Sequence, residues 1–173
     1  MNIIDFIEKY IENNIAQPHT LVHHLDTRNL LLMLNSDISI EAQVAALTHD
    51  IERQSESRLP DPEDFSDNNY LISHGEASAK IVVELLKKEG FNLDYEKLSE
   101  LITQHEVGGD PEADLIRDAD SISFLKNTTE GFLKKFDKEK CREKFDFMFD
   151  RIGDVRAKEI AREYYNKALE LLK

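Results

Sequence analysis

Apolar residues recur at steps of three and four along almost the whole chain. Ile3, Ile4, Ile7, Ile11 and Ile15 mark one face of a first amphipathic helix. Pro18 suits the opening turn of a second helix, expected to run to about Asn35, and Asn35-Ser36-Asp37 reads as a turn. Ser39 is placed to cap a third helix running through His49-Asp50, with Glu41 in its acid-favouring first turn. From about Gln54 to Asn69 the pattern lapses. This stretch is polar, carries Pro60 and Pro62, and is expected to be a loop forming a lid or pocket wall.

Periodicity returns from about Leu71 to Glu89, and Gly90 fits the position just past a helix end. Asp94 caps a further helix reaching His105, which Gly108-Gly109-Asp110-Pro111 breaks. Pro111 restarts a helix through Asp120 to about Lys126. Two or three more helices complete the chain, with a turn near Gly153-Asp154 and a last helix near 155–172. No repeat, linker or strong strand pattern interrupts this. The expectation is one all-α domain over residues 1–173, a bundle of about seven to nine helices. Its motif-bearing core spans about 18–126, with C-terminal helices 127–173 packed on it.

A chain of 173 residues can bury one good core and is short for two. Its 40% hydrophobic content and mean hydropathy of −0.50 describe a soluble globular protein. No apolar run approaches the roughly 18 residues of a membrane span. The start, Met1-Asn2-Ile3-Ile4-Asp5, lacks the basic region and long apolar stretch of a secretory signal. Cys141 is the single cysteine, which excludes an internal disulfide and a multi-thiolate metal site. Together these features predict a cytoplasmic protein that does not engage membranes. The net charge of −13 argues against extended nucleic-acid binding, which requires Lys and Arg to neutralise phosphates. Excess acid serves solubility, and a carboxylate-lined pocket also lowers its own repulsion by holding cations.

The histidines give the composition a chemical meaning. His19, His23 and His24 open the second helix; His49-Asp50 closes the apolar run Val44-Ala45-Ala46-Leu47-Thr48; His74, His105 and Asp118-Ala119-Asp120 follow. Helix neighbours diverge by about 100°, so one ion meets both His49 and Asp50 only from between them. Asp50 has two oxygens and can bridge two ions while His49 binds one. From His23, helical steps reach Thr27, Leu30, Leu31 and Leu34; from His24 they reach Arg28, Leu31, Leu32 and Asn35. The more apolar face favours His23, with His19 one turn earlier on it and both His19 and His24 kept as alternatives. Gly75, Ala77 and Ala79 leave room beside His74 for close packing, ions or substrate. His105 meets a glycine turn through Glu106, a further candidate. At least one of Asp118 and Asp120 is expected inside, because Leu115, Ile116, Ile122, Phe124 and Leu125 surround them.

A histidine, a later His-Asp doublet and a distal aspartate resemble the HD superfamily of metal-dependent phosphohydrolases over roughly His19 to Leu125. Ala45-Ala46-Leu47-Thr48-His49-Asp50-Ile51 is close to that family's doublet segment. Ala119-Asp120-Ser121-Ile122 fits its distal motif, which implies Asp120 as ligand and Asp118 as a supporting group. His74 and His105 resemble the two additional histidines of the binuclear subgroup. Glu52 replaces the glycine that often follows the doublet, and Arg53 stands where a lysine is usual.

The resemblance implies a metal set of His23, His49, Asp50, His74, His105 and Asp120. Imidazoles and carboxylates without sulfur suit one or two divalent ions of Fe, Mn, Co, Ni or Zn. The activity implied is hydrolysis of a nucleotide or other small phosphate ester or anhydride by a metal-activated hydroxide. Asp50 and Arg53 carry the catalysis in that reading, and Arg117 or Lys80 are further cations for the developing charge. The same ligand pattern occurs in HD-type mixed-valent diiron oxygenases, and a metal-stabilised regulatory or binding protein without turnover is the third reading.

Overall fold

Short polar side chains start most of the helices where the sequence places them. Asn2 accepts from the Asp5 amide at the head of α1 (Ile3–Asn14), and Ser39 from the Ala42 amide at α3 (Ile40–Thr48). Pro18 opens α2 (Pro18–Leu34), and Asp67 caps α4 (Asn68–Lys88) about a turn before the expected start. Asp94 and Asp110 cap α5 (Tyr95–Gln104) and α6 (Pro111–Asn127). The short α7 (Thr129–Leu133) is followed by α8 (Lys138–Asp150) and α9 (Val155–Glu170), capped by Asp137 and Asp154. The computed structural model describes residues 2–56 and 58–173. Met1, and Ser57 within the expected 54–69 loop, lie outside the described residues. Among the described residues there are nine α-helices and no strand, as expected of an all-α bundle. No helix among them is long and apolar enough to cross a membrane.

The middle of the fold is α3. Ala42, Val44, Ala45, Ala46 and Leu47 are all fully buried, because after Glu41 and Gln43 the helix is apolar on every side and has no face to give to water. It packs against α1, α2, α5 and α6; α2 lies along α6, α4 along α5, and α8 and α9 cover α6. Ile7 and Ile11 bring α1 into the same core, and Phe145, Ala157 and Ala161 bring in the C-terminal helices. Burial of each large aliphatic side chain there is worth about 1.5–3 kcal/mol relative to exposure. The end of the central helix therefore has little freedom to move.

One glycine sets a critical separation. A Cβ on Gly75 would lie 2.6 Å from the Thr103 carbonyl oxygen and 2.8 Å from its Cα, so α4 and α5 touch backbone to backbone. That contact brings His74, beside Gly75, against His105, just beyond the end of α5; their ring centres are 5.5 Å apart. Gly75→Ala is expected to cost about 1–3 kcal/mol by overpacking. Chemical denaturation measures that cost, and metal titration should show weaker binding as the two histidines separate.

Candidate metal centre

The sequence places His49 and Asp50 inside α3, whereas the helix stops one residue before them. His49 caps it with φ −50° and ψ −37°, and Asp50 leaves helical geometry at φ −105° and ψ 16°. A 3₁₀ turn over Ile51–Gln54 follows, in place of continued helix or an immediate loop. This change of direction lets both side chains turn toward the same space, which adjacent positions on a regular helix do not readily do. His105 likewise caps α5. His23 comes from α2, His74 from α4 and Asp120 from α6.

Hydrogen bonding fixes a proton on Nδ1 of three imidazoles, while His74 has a carboxylate at each ring nitrogen. His49 Nδ1–H donates to the Ala46 carbonyl at 2.9 Å and His105 Nδ1–H to the Ile102 carbonyl at 2.6 Å. His74 Nδ1–H donates to Glu52 Oε2 at 2.8 Å. The Ser123 hydroxyl spends its hydrogen on the His23 carbonyl, so His23 Nδ1–H must donate to Ser123 Oγ, 2.9 Å away. In their neutral form His23, His49 and His105 then keep the Nε2 lone pair with which histidine binds metal, and His74 Nε2 would do so once an ion replaced its proton beside Asp50. The Nε2 atoms of His23 and His49 face each other at 3.3 Å, and His105 Nε2 is buried with no hydrogen-bond partner. Inward lone pairs of this kind fit a cation.

The donors form two groups that meet at Asp50. His23 and His49 Nε2 lie 3.1 and 3.4 Å from Asp120 Oδ1, and His49 Nε2 lies 4.0 Å from Asp50 Oδ2. On the other side, Asp50 Oδ1 is 2.6 Å from His74 Nε2 and 3.8 Å from His105 Nε2. Glu106 Oε1 joins that second group, 3.9 Å from His105 Nε2. Two sets could hold a metal ion, His23 with His49 and Asp50, and Asp50 with His74, His105 and Glu106: within each, one ligand atom per residue lies within 4.8 Å of the others.

Without an ion, two of the histidines take up the positive charge themselves. Burial opposes charge on His49, but Asp50 and Asp120 outweigh it and raise its pKa to about 9. Burial likewise opposes charge on His74, and Asp50 and Glu52 raise it to about 9. His105 is pushed down to about 4 by burial and by the neighbouring His49. The carboxylates demand positive charge between them, and an ion can supply it with all four imidazoles neutral.

Several supporting groups carried no sequence motif. Arg151, at the end of α8, bonds Asp120 Oδ2 through Nη2 and Glu106 Oε2 through Nη1, the latter at 2.8 Å. It joins the outer oxygens of the two groups while its side chain is only 8% exposed. Lys144, two turns earlier on the helix, faces the same carboxylates, and burial together with Arg151 lowers its pKa. Glu52, in the position read as a departure from the resembled family, is fully buried and orients His74. Its other oxygen accepts the Leu59 amide and so ties down the following loop.

Other candidates lie elsewhere. His24 Nδ1–H donates to the Leu47 carbonyl at 2.8 Å, and burial with repulsion from His49 and His23 holds it neutral, near 3. His19 is exposed on the cavity wall beside Gly131. Asp118 turns away to accept the Gly153 and Asp154 amides at 3.0 and 2.7 Å, so it ties the α8–α9 turn to α6 and is no ligand. Arg117 pairs with Asp114 at 2.9 Å, near that turn, and Lys80 is exposed on α4; neither lines the cavity.

A cavity of about 990 Å³ opens onto His23, Asp50, Glu106 and Asp120. The Asp50 side chain is 25% exposed into it, against 0% for His49, His74 and His105. Arg53, Arg58, Lys126, Lys134, Lys135 and Lys144 line the same space. Arg53 is fixed by a 2.5 Å hydrogen bond to the Tyr70 hydroxyl.

Fold and site thus define an all-helical protein with a candidate His/Asp metal centre under a cation-lined cavity. The chain belongs to the family described as a domain of unknown function, DUF4202, whose model matches residues 5–168. No curated protein and no solved structure matches it.

Proposed function

We propose that this chain is a metal-dependent phosphohydrolase of HD type, acting on a nucleotide or another small phosphate ester or anhydride. The observation that carries the reading is the division of Asp50 between two imidazole groups at the floor of a cation-lined cavity. Four imidazoles and hard carboxylates, with no thiolate, suit Fe, Mn, Co, Ni or Zn over Ca or Mg. Bound there, such ions polarise a phosphoryl oxygen and lower the pKa of water.

The protein's own part is to place and neutralise charge. His23, His49 and Asp120 hold one side of Asp50, and His74 and His105 hold the other, with Glu106 and Arg151 behind. Arg53, held at Tyr70, offers a planar guanidinium next to Asp50, suited to a phosphate oxygen. Six lysines and arginines line the cavity beside five carboxylates, and three of those carboxylates, Asp50, Glu106 and Asp120, belong to the donor cluster, so with ions bound the space would favour an anionic substrate.

The test is phosphate release from a panel of nucleotides, sugar phosphates and phosphoanhydrides by Mn²⁺- or Fe²⁺-reconstituted protein under anaerobic conditions. Release dependent on the added metal is expected. No hydrolysis across the panel, with dioxygen consumed when air is admitted, would replace this reading with an oxygenase.

A further inference from the structure

Beyond the metal centre, one carboxylate in the cavity wall is surrounded by cations. Asp61 lies 2.8 Å from Arg58 Nη2, 2.5 Å from Lys135 Nζ and 3.8 Å from Arg53 Nη1. Three positive groups thus converge on a single negative one, in a chain whose acids outnumber its bases. Burial raises the Asp61 pKa, but Lys135, Arg58 and Arg53 together hold it below the usual carboxylate range. All four residues line the cavity. The Asp61 side chain is 31% exposed and those of Arg58 and Lys135 are 41% and 48% exposed, so solvent screens these pairs and an entering anion can compete for them.

We infer that Arg53, Arg58 and Lys135 form a subsite for a second phosphate of the substrate, held in the free protein by Asp61 as an internal stand-in anion. The inference rests on the phosphohydrolase reading and narrows it, to substrates carrying two phosphates. A phosphate dianion brings more charge and more acceptor oxygens than one carboxylate, so it matches three donors better. Arg53 joins the subsite to the metal centre. Its Nε is 4.0 Å from Glu52 Oε2, and Glu52 in turn holds His74. One phosphate can then face Asp50 while the second meets Arg58 and Lys135.

The loop has anchors besides Asp61, so it stays in place when the carboxylate yields. Glu52 accepts the Leu59 amide, and Phe65 is 8% exposed, packs on Phe132 and Phe136 at 5.6 and 6.3 Å, and lies under Lys140 and Lys144.

Binding to the Mn²⁺-loaded full chain, by calorimetry in Mn²⁺-containing buffer, tests this without requiring turnover. Three probes are compared: methylphosphonate, methylenediphosphonate, and 1,3-propanediphosphonate. Arg58→Ala/Lys135→Ala is expected to weaken at least one diphosphonate about tenfold or more, and Asp61→Asn to tighten it several-fold, from lost and released charge-assisted bonds. Methylphosphonate should stay within about twofold in both variants. An effect confined to methylenediphosphonate assigns adjacent phosphates, as in a phosphoanhydride; one confined to the propane compound assigns phosphates on separate carbons. Equal shifts for all three probes would overturn the subsite, as would no shift for any, or the same loss in the remote surface variant Lys167→Ala. If the diphosphonate pattern holds while no phosphate ester or anhydride is cleaved, the hydrolase reading fails and the anion subsite stands.

Discussion

Asp50→Ala is expected to remove most of the bound transition metal and at least about a hundredfold of the phosphate release. The size follows from position. Asp50 is the one residue shared by the two donor groups, with Oδ2 toward His49 and Oδ1 toward His74 and His105. Lewis-acid stabilisation is worth several kcal/mol, and each ~1.4 kcal/mol is a factor of ten in rate. Elemental analysis of untagged protein should give one to two equivalents for the unaltered chain and well under half that for the variant. Thermal stability separates binding from folding. A ligand at about a hundred times its Kd stabilises by about 2.7 kcal/mol, so Mn²⁺ should raise the melting temperature of the parent and leave Asp50→Ala nearly unmoved. Asp50→Asn keeps shape and some hydrogen bonding but loses the anion, and should behave like the alanine variant. Full metal content in both variants would remove Asp50 from the centre.

The helices and the converging histidines were legible because they depend on local signals. Caps, proline starts and apolar steps gave the boundaries within about a turn, as at α4, where Asp67 rather than a later residue caps. His23 was preferred over His24 on facial polarity, yet both are buried. What separates them is tertiary: His23 Nε2 lies 3.1 Å from Asp120 Oδ1 of α6, whereas His24 bonds the Leu47 carbonyl of α3 and its buried Nε2 meets no carboxylate. Asp118 and Asp120 lie two positions apart on α6 and point to different sides, so an inward Asp120 obliges Asp118 to find other partners. The amides at residues 153 and 154 were those partners, and nothing within α6 announces them. Glu52 looked like a departure from a motif because its partner, His74, lies in another helix. Arg151 was silent for the same reason: a cation at a helix end is common merely as a complement to the dipole.

Arg151→Ala is expected to be the most damaging change outside the donor set. Its guanidinium neutralises Asp120 and Glu106 together and also donates to Ser121 Oγ at 2.8 Å. Removing one partner from a buried ionic network typically costs about 3–5 kcal/mol, because the remaining charges are left uncompensated. For a chain of this size that corresponds to a fall of about 6–20 °C in melting temperature for the metal-free protein. Metal should restore part of the loss, since cations beside Asp120 and Glu106 supply the missing charge, and Lys144 already supplies some. The loaded variant should still lose about ten- to a hundredfold in activity or metal affinity, the usual effect of unfixing a ligand's supporting partner. Arg151→Lys distinguishes charge from shape. It keeps the positive charge but cannot span two carboxylates with one rigid fork, so it should recover much of the stability and little of the activity. If instead metal-free Arg151→Ala melts at the temperature of the metal-free parent and binds metal as the parent does, Asp120 and Glu106 do not need the clamp. The tie between the two donor groups would then rest on Asp50 alone.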